Sequence, residues 1–491
     1  MSGNCAKNWI CWLPYFRRER ADMSLRRWAT LLGPCLLILS LWLFPHSPRY
    51  ALLGLMGWML LWWISEAVPI GVTALLPMVF FPLLGIADLK STTAHYANPI
   101  VYLFFGGFLL GLGIEKWQLH RRIALGILRR SGSRPRRMVL GTMLATALLS
   151  MWISNTATAV MMLPIGLSII RLYEEESGPA RAFGLSLLLG IAFAANIGGM
   201  STLIGTPPNL VLAGLWREES GQELSFARWL LMALPLVALL FGLLYLLLTR
   251  WPLNVPNAKQ ERLAQLTQLQ WEQLGPMGRG EKRIALVMGL TAAAWIFRAP
   301  LVAWTGWTAL NDTIIALLGG LVLFVFPSGE GRPLLTWPDT TQMPWGILLL
   351  FGGGISLAQG LAITQWVETL GEALRSLPLE SPWVAALAVT ALAIFLTEVM
   401  SNVALVAIFI PLAFVLAEVL GLAPLFLALP LTLGASCAFM LPIATPPNAV
   451  VFGSGRLKMT DMMRIGLGLN LIALLLISAY IAWIFPYLSW T

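Results

Sequence analysis

Ser150-Met151-Trp152-Ile153-Ser154-Asn155-Thr156, with Pro164 further on, interrupts an apolar run from Met138 to Ile170. Thr397-Glu398-Val399-Met400-Ser401-Asn402-Val403, with Pro411 at the same offset, interrupts a second run from Val384 to Glu418. In both, a hydroxyl residue, three others, a Ser-Asn pair and a proline follow one spacing. Each run is then followed by another matched element, Gly205-Thr206-Pro207-Pro208-Asn209 in the first case and Ala444-Thr445-Pro446-Pro447-Asn448 in the second. A two-part polar signature that occurs twice marks an internal repeat.

The surroundings of these elements define the class. Of 491 residues, 58% are hydrophobic and 11% charged, whereas soluble chains are roughly 45 to 50% apolar and about 25% charged. That balance excludes a soluble globular enzyme. Apolar blocks such as Leu31 to Leu43, Leu230 to Leu248 and Leu467 to Ile484 recur, and at about 20 residues per crossing the chain reads as a polytopic all-α membrane protein. The net charge of +9 sits in short segments between these blocks, where it sets topology and does not signal nucleic acid. Cys5, Cys11, Cys35 and Cys437 form no metal-ligand spacing or disulfide framework. Arg17, Arg18 and Arg20 without a following cleavage site read as a cytoplasmic preface, and Met23 is a second candidate start.

Basic loops orient the chain. The N-terminal segment 1–27, the segment from Lys116 to Arg137 and the connecting segment 250–283 are expected in the cytoplasm. The first half, 28–249, has spans near 28 to 45, 50 to 64, 67 to 86 and 99 to 114, then the interrupted run 138–170. Each arm of that run has roughly 14 to 16 residues, about 21 to 24 Å, short of the ~30 Å hydrocarbon core, so it reads as a re-entrant hairpin. A broken helix over 183–215 leads outward to Glu218, Glu219 and Glu223, and 230 to 248 returns. The connecting segment reads as a surface helix. The second half, 284–491, has spans near 284 to 298, 313 to 326 and 346 to 363, a hairpin over 384–418 entering from outside, a broken helix over 425–453 and a last span at 465 to 485. This is about 11 transmembrane helices plus two hairpins in two inverted-topology repeats. The N-terminus is expected in the cytoplasm and the C-terminus outside, in the plasma membrane, or in the inner membrane of a bacterium.

A Pro-Pro pair inside an apolar span removes two backbone donors and frees carbonyls, so the helix must break. Broken helices at matching positions of inverted halves point to a transport site. The alternative, a packed kink without a ligand, weakens when both elements are duplicated. The Ser-Asn pairs supply hydroxyl and amide oxygens that, with freed carbonyls, suit a hard monovalent cation. Helix N-termini and the Asn amide donors at the same tips suit an anion. Ser and Asn also bond between packed helices without any ligand, and the duplication argues against that use here.

Ser-Asn-Thr-Ala-Thr at 154 to 158, the two Thr-Pro-Pro-Asn elements and the run from Ala438 to Phe452 resemble the divalent-anion sodium symporter family, over most of the chain from about Leu52. The resemblance implies a homodimer in the lipid bilayer, with scaffold domains at the interface and transport domains that carry both hairpins as elevators. It implies co-transport of C4-dicarboxylates, tricarboxylates or sulfate with sodium ions. By the same resemblance, Ser150, Ser154, Asn155 and the backbone at Gly205 form one sodium site, and Thr397, Ser401, Asn402 and the backbone at Ala444 the other. Asn155, Thr156, Asn402, Thr206, Pro207, Thr445 and Pro446 would touch the substrate between them. The second motif departs from the family pattern at Val403, which removes one hydroxyl from the substrate side.

No lysine or arginine lies in the site elements, so sodium ions and helix N-termini would supply the positive potential for the anion. Glu66 and Glu398 are the carboxylates near apolar segments, at hydrated helix ends or on an ion path. His46, His95 and His120 fall in loops or at span ends, which disfavours a histidine proton relay. Trp58, Trp62, Trp63, Trp337 and Trp345 read as interface anchors. An intramembrane enzyme is the rival of a different class, but a His-Glu-x-x-His pair, a Ser/His or paired-aspartate constellation and a P-loop are all missing from the sequence. The closer rivals are a sodium-independent exchanger and a sulfate or other oxyanion carrier of the same fold.

Overall fold

The computed structural model describes residues 9–178, 180–250, 253–256, 258–366, 369, 371–372 and 381–483. Among them the chain is helical, and no strand forms beyond an isolated bridge between Pro327 and Pro333. Seven helices are long and apolar enough to cross a membrane, or eight if one bent pair is counted. The sequence pattern led us to expect about eleven. Five of the expected spans are among the seven, which also include one helix from each expected hairpin; the expected spans near 67 to 86, 313 to 326 and 425 to 453 contain shorter apolar helices, Ile70–Leu83, Asp312–Val325 and Pro424–Ala435. In the stretch near 67 to 86 the cause is visible. Two short helices, Ile70–Thr73 and Leu76–Leu83, replace one span, with Pro69 before the first and Pro77 opening the second, since proline cannot donate to the preceding turn. The bent pair is Arg279–Ile296 with Arg298–Thr305, turned by 81°.

The chain divides into two compact units, residues 1–96 with 345–369 and residues 97–344 with 370–491. This division cuts across the sequence repeat. In the first unit, Trp9–Leu43 packs along Pro48–Ser65, close enough that a Cβ on Gly54 would stand 2.6 Å from Ser40 Cβ. Trp58 and Trp63 are buried in this packing at 8% and 0% exposure, so these two are core residues and not interface anchors. Trp337 and Trp345 are exposed. Glu66 is also exposed, 3.9 Å from Arg26. His95 is buried at the end of Leu89–Tyr96, within 3.1 Å of Ser356 Oγ.

The second unit contains both copies of the signature. Pro135–Ser150 and Asn155–Ser177 are joined by a turn at 151–154, called tip 1. Pro382–Leu396 and Asn402–Val419 are joined at 397–401, called tip 2. The second helix of each pair is longer than an arm of 14 to 16 residues, at 23 and 18 residues, and both are among the seven helices long enough to cross. Arg181–Met200 and Pro207–Ser220 flank break 1 at 201–206. Pro424–Ala435 and Pro446–Phe452 flank break 2 at 436–445. The Pro-Pro pairs lie just past each break, opening the second helix at positions whose N–H groups have no intrahelical partner anyway. The two halves interlock crosswise. Asn155–Ser177 packs on Pro446–Phe452, and Asn402–Val419 packs on Pro207–Ser220.

Polar contacts sort the loops of this unit into two sets. In one, Arg122 pairs with Glu281, and Arg129 and Arg122 lie over the Trp271 ring at 4.8 and 5.5 Å. Lys116 pairs with Asp339 at 2.6 Å, and Arg136 Nε donates to Val255 O at 2.7 Å. The expected surface helix is Glu261–Gln273, packed on Leu119–Ser131. In the other set, Arg298 pairs with Glu223 at 2.8 Å and with Asp312 at 3.0 Å, and Asn98 Nδ2 donates to Glu218 Oε1 at 2.6 Å. Among the described residues no ion pair joins the two sets.

His120, in the first turn of Leu119–Ser131, is 4% exposed with Nδ1 3.1 Å from Ile114 O. Burial, aided by the Arg121 charge, holds its imidazole below the usual range against the opposing effect of that bond. The neutral ring is therefore the folded form. Its contribution to stability is complete above the unfolded value of about 6.5 and is lost as pH falls through the folded value. Melting temperature measured from pH 7.5 down to 5 should drop less steeply in His120→Gln than in the unsubstituted protein.

Candidate functional site

The two tips repeat one geometry. Ser150 Oγ lies 2.6 Å from Asn155 Oδ1 and 2.7 Å from Ala195 O. Thr397 Oγ1 lies 2.6 Å from Asn402 Oδ1 and 2.7 Å from Ala435 O. A hydroxyl has one proton to donate, so in each set three oxygens converge on a single hydrogen. Such a cluster is short of positive charge, which a hard cation with oxygen ligands supplies. Ser150 and Thr397 are both 0% exposed. The carbonyls of Ala195 and Ala435 were invisible to sequence reasoning, because a backbone ligand leaves no trace in the identity of its side chain.

Break 1 brings further oxygens to the first set. A Cβ on Gly199 would stand 2.5 Å from Asn155 Oδ1 and 3.1 Å from Gly205 O. Only glycine leaves that space open, with Asn155 Oδ1 and Gly205 O both facing it. In break 2 the matching position is Ala438, identified by its bond to Asn448. Ala444 is tied by its N–H to Leu441 O at 3.2 Å.

The asparagines after the Pro-Pro pairs close the breaks. Asn209 Nδ2 donates to Gly199 O at 3.2 Å and Thr202 O at 2.8 Å. Asn448 Nδ2 donates to Ala438 O at 2.9 Å and Leu441 O at 3.0 Å. Both residues are 0% exposed, and both Oδ1 atoms are buried without a hydrogen-bond partner. A buried orphan acceptor costs about 1 to 3 kcal/mol, and its duplication adds one more cation-seeking oxygen beside each break. The sequence signal was present in the Thr-Pro-Pro-Asn repeat, but the asparagine had been read only as part of the motif.

Other predicted residues are less uniformly placed. Ser154 is exposed, and its Oγ accepts the Ala157 N–H at 3.2 Å as the helix cap, so that oxygen is already engaged. Ser401 is half-buried and makes no such cap. Thr206 and Thr445 are buried, and Asn196 Nδ2 of the first half donates to Thr445 Oγ1 of the second at 3.2 Å. Asn155, Thr156, Pro207, Asn402 and Val403 are half-buried, while Pro446 is exposed. Glu398 is not at a hydrated helix end. It is 4% exposed and accepts three backbone N–H groups and the Asn470 amide.

The signature elements contain no lysine or arginine. Positive potential comes from the first turns of the helices that start at Asn155 and Asn402, whose free N–H groups attract anions. The arrangement is thus two oxygen-rich clusters of a kind that suits hard cations, beside donors of a kind that suits a carboxylate or sulfate.

Comparison with known proteins places this geometry. The sequence profile of the sodium:sulfate symporter transmembrane region matches residues 25–491. A sodium-dependent dicarboxylate transporter, SdcS, of Staphylococcus saprophyticus is 35% identical over 470 residues, covering 93% of this chain and 91% of that one. SdcS of Staphylococcus aureus is 37% identical over 475 residues, covering 93% and 90%. Among solved structures, the YdaH transporter of Alcanivorax borkumensis aligns over 84% of this chain and 89% of its own with a TM-score of 0.57 at 17% identity. MtrF of Neisseria gonorrhoeae aligns over 83% and 84%, also at 0.57, with 13% identity. The last two share the fold. The chain belongs to the sodium:sulfate symporter family, and it is a membrane transporter and not an enzyme.

Proposed function

We propose that this protein is a secondary active transporter that couples inward sodium movement to uptake of a divalent organic anion, a C4-dicarboxylate such as succinate. The observation that carries the reading is the duplicated oxygen cluster, Ser150 with Asn155 and Ala195 O, and Thr397 with Asn402 and Ala435 O. Sodium is the cation its relatives depend on, and dicarboxylate is their substrate. Ser150, Asn155 and the Gly205 carbonyl would hold one ion, and Thr397, Asn402 and the Ala444 backbone the other, with Ser154 and Ser401 at the edges. Thr156, Thr206, Pro207, Thr445 and Pro446 with the two asparagines would meet the carboxylates.

Without a basic residue in these elements, anion affinity would depend on bound sodium. The ions give the uncharged oxygen sets a positive charge, and only then does a dianion enter a low-dielectric site at tolerable cost. Tips 1 and 2 would enter the bilayer from opposite faces. The crosswise packing of the two halves, with Arg456 on Glu174 at 2.9 Å and Arg181 on Asp461 at 2.8 Å, supports their movement as one elevator body. Homodimerisation and the scaffold domain are carried over from the family resemblance. The polar set containing Arg122, Arg129 and Arg136 would be cytoplasmic by its charge, with the C-terminus outside.

Uptake of labelled succinate into proteoliposomes, with an inward sodium gradient against potassium, tests the reading. Concentrative uptake that requires sodium is expected; uptake only into succinate-loaded vesicles, indifferent to sodium, would make the protein an exchanger, and none would leave sulfate and other oxyanions. Asn155→Ala and Asn402→Ala should each reduce transport to background in protein that still elutes as a folded species. Gly199→Ala should raise the half-saturating sodium concentration on the order of tenfold by displacing Asn155 Oδ1. Val403→Thr should alter competition among succinate, citrate and sulfate while leaving sodium dependence in place.

A further inference from the structure

Thr397 of the second cation set is followed by Glu398, a carboxylate 4% exposed in an element with no basic residue. Its Oε1 accepts the N–H groups of Phe439 at 2.9 Å and Met440 at 2.8 Å, and Asn470 Nδ2 at 2.8 Å. Its Oε2 accepts the N–H of Leu441 at 2.9 Å. The Leu441 carbonyl in turn accepts the Ala444 N–H at 3.2 Å and Asn448 Nδ2 at 3.0 Å. A continuous chain of hydrogen bonds therefore runs from tip 2, through Glu398, to the turn of break 2 that carries Ala444.

The first half has the same fastening at the same motif position with different chemistry. Met151 follows Ser150 as Glu398 follows Thr397, and Thr202 Oγ1 of break 1 donates to the Met151 carbonyl at 2.6 Å. In both halves the residue after the cation-set hydroxyl ties tip to break. Only in the second half is the tie a carboxylate side chain, which gathers three consecutive backbone N–H groups that no helix satisfies.

An intramembrane carboxylate with no basic partner invites the reading of a direct ion ligand. Here four donors already occupy its oxygens, so it acts through the loop. We infer that Glu398 is a positioning residue: it fixes the break 2 turn so that the Ala444 backbone completes the second cation set. This rests on the sodium-coupled reading above. Glutamine cannot substitute, because its NH2 would face either the Leu441 N–H or the group of three donors on Oε1.

The test is sodium dependence of succinate uptake by Glu398→Gln in proteoliposomes, together with the sodium-induced rise in melting temperature. The half-saturating sodium concentration should rise about tenfold and the Hill slope fall toward one. Succinate KM at saturating sodium should stay within about twofold, and the sodium-induced rise should shrink. A variant that is merely less stable, with half-saturating sodium and sodium-induced stabilisation as in the unsubstituted protein, would overturn the assignment. Asn470→Ala, which removes one donor and keeps the backbone bonds, should shift sodium dependence in the same direction by less. It decides the matter if Glu398→Gln does not fold, and wild-type sodium dependence in Asn470→Ala would then sink the proposal. If the unsubstituted protein transports succinate without regard to sodium, the parent reading fails; sodium-dependent transport with indifferent variants removes only the role of Glu398.

Discussion

Breaking a helix in an apolar environment leaves N–H and C=O groups that water cannot reach, and each must find a partner within the protein. The second unit is organised around this demand. Asn209 and Asn448 each hold two freed carbonyls with one amide nitrogen. Glu398 collects three freed N–H groups. What these residues leave unsatisfied is oxygen: the clusters around Ser150 and Thr397, and the amide oxygens of Asn209 and Asn448. Acceptors in excess of donors suit a cation, and the ligands proposed include no carboxylate. On that reading the fold and the choice of ion share one cause, since the groups that keep the breaks intact determine which oxygens would remain for sodium.

If the two proposed cation sets each take one sodium ion with a dianion, the load is neutral. That balance would let a site without lysine or arginine serve an anion transporter. A fixed arginine would hold the substrate whether or not sodium was bound and would carry its charge across the bilayer on the empty return. Oxygen clusters and helix N-termini offer weak potential alone and substantial potential when the ions are present.

Much of this was legible in the residues because the repeat printed it twice. The spacing from hydroxyl to Ser-Asn to proline predicted tips that form at 151–154 and 397–401, and the Pro-Pro pairs predicted breaks that form at 201–206 and 436–445. The same repeat singled out Ser150, Asn155, Thr397 and Asn402, whose oxygens lie together in each tip. The carbonyls of Ala195 and Ala435, which join them, were not legible, since alanine announces nothing about its carbonyl. Glu398 was noticed for its charge and read as lying at a hydrated end or on an ion path; its actual partners were not legible, because they are backbone N–H groups of residues 439–441 and Asn470, remote in sequence. Helix boundaries were less legible where prolines shorten helices, as at Pro69 and Pro77, since hydropathy records composition and not hydrogen bonding. Trp58 and Trp63 were misread for a related reason: an indole at a membrane surface and one in a helix interface look alike in sequence.

The crosswise packing of the halves makes each incomplete without the other. Asn155–Ser177 lies on Pro446–Phe452, and Asn402–Val419 lies on Pro207–Ser220, so each Ser-Asn helix is covered by the Thr-Pro-Pro helix of the opposite half. A single half would leave both surfaces bare. A half standing alone would therefore need a second copy beside it to cover them. Within one chain the two copies need not be identical, and Met151 against Glu398, and Gly199 against Ala438, are positions at which they differ.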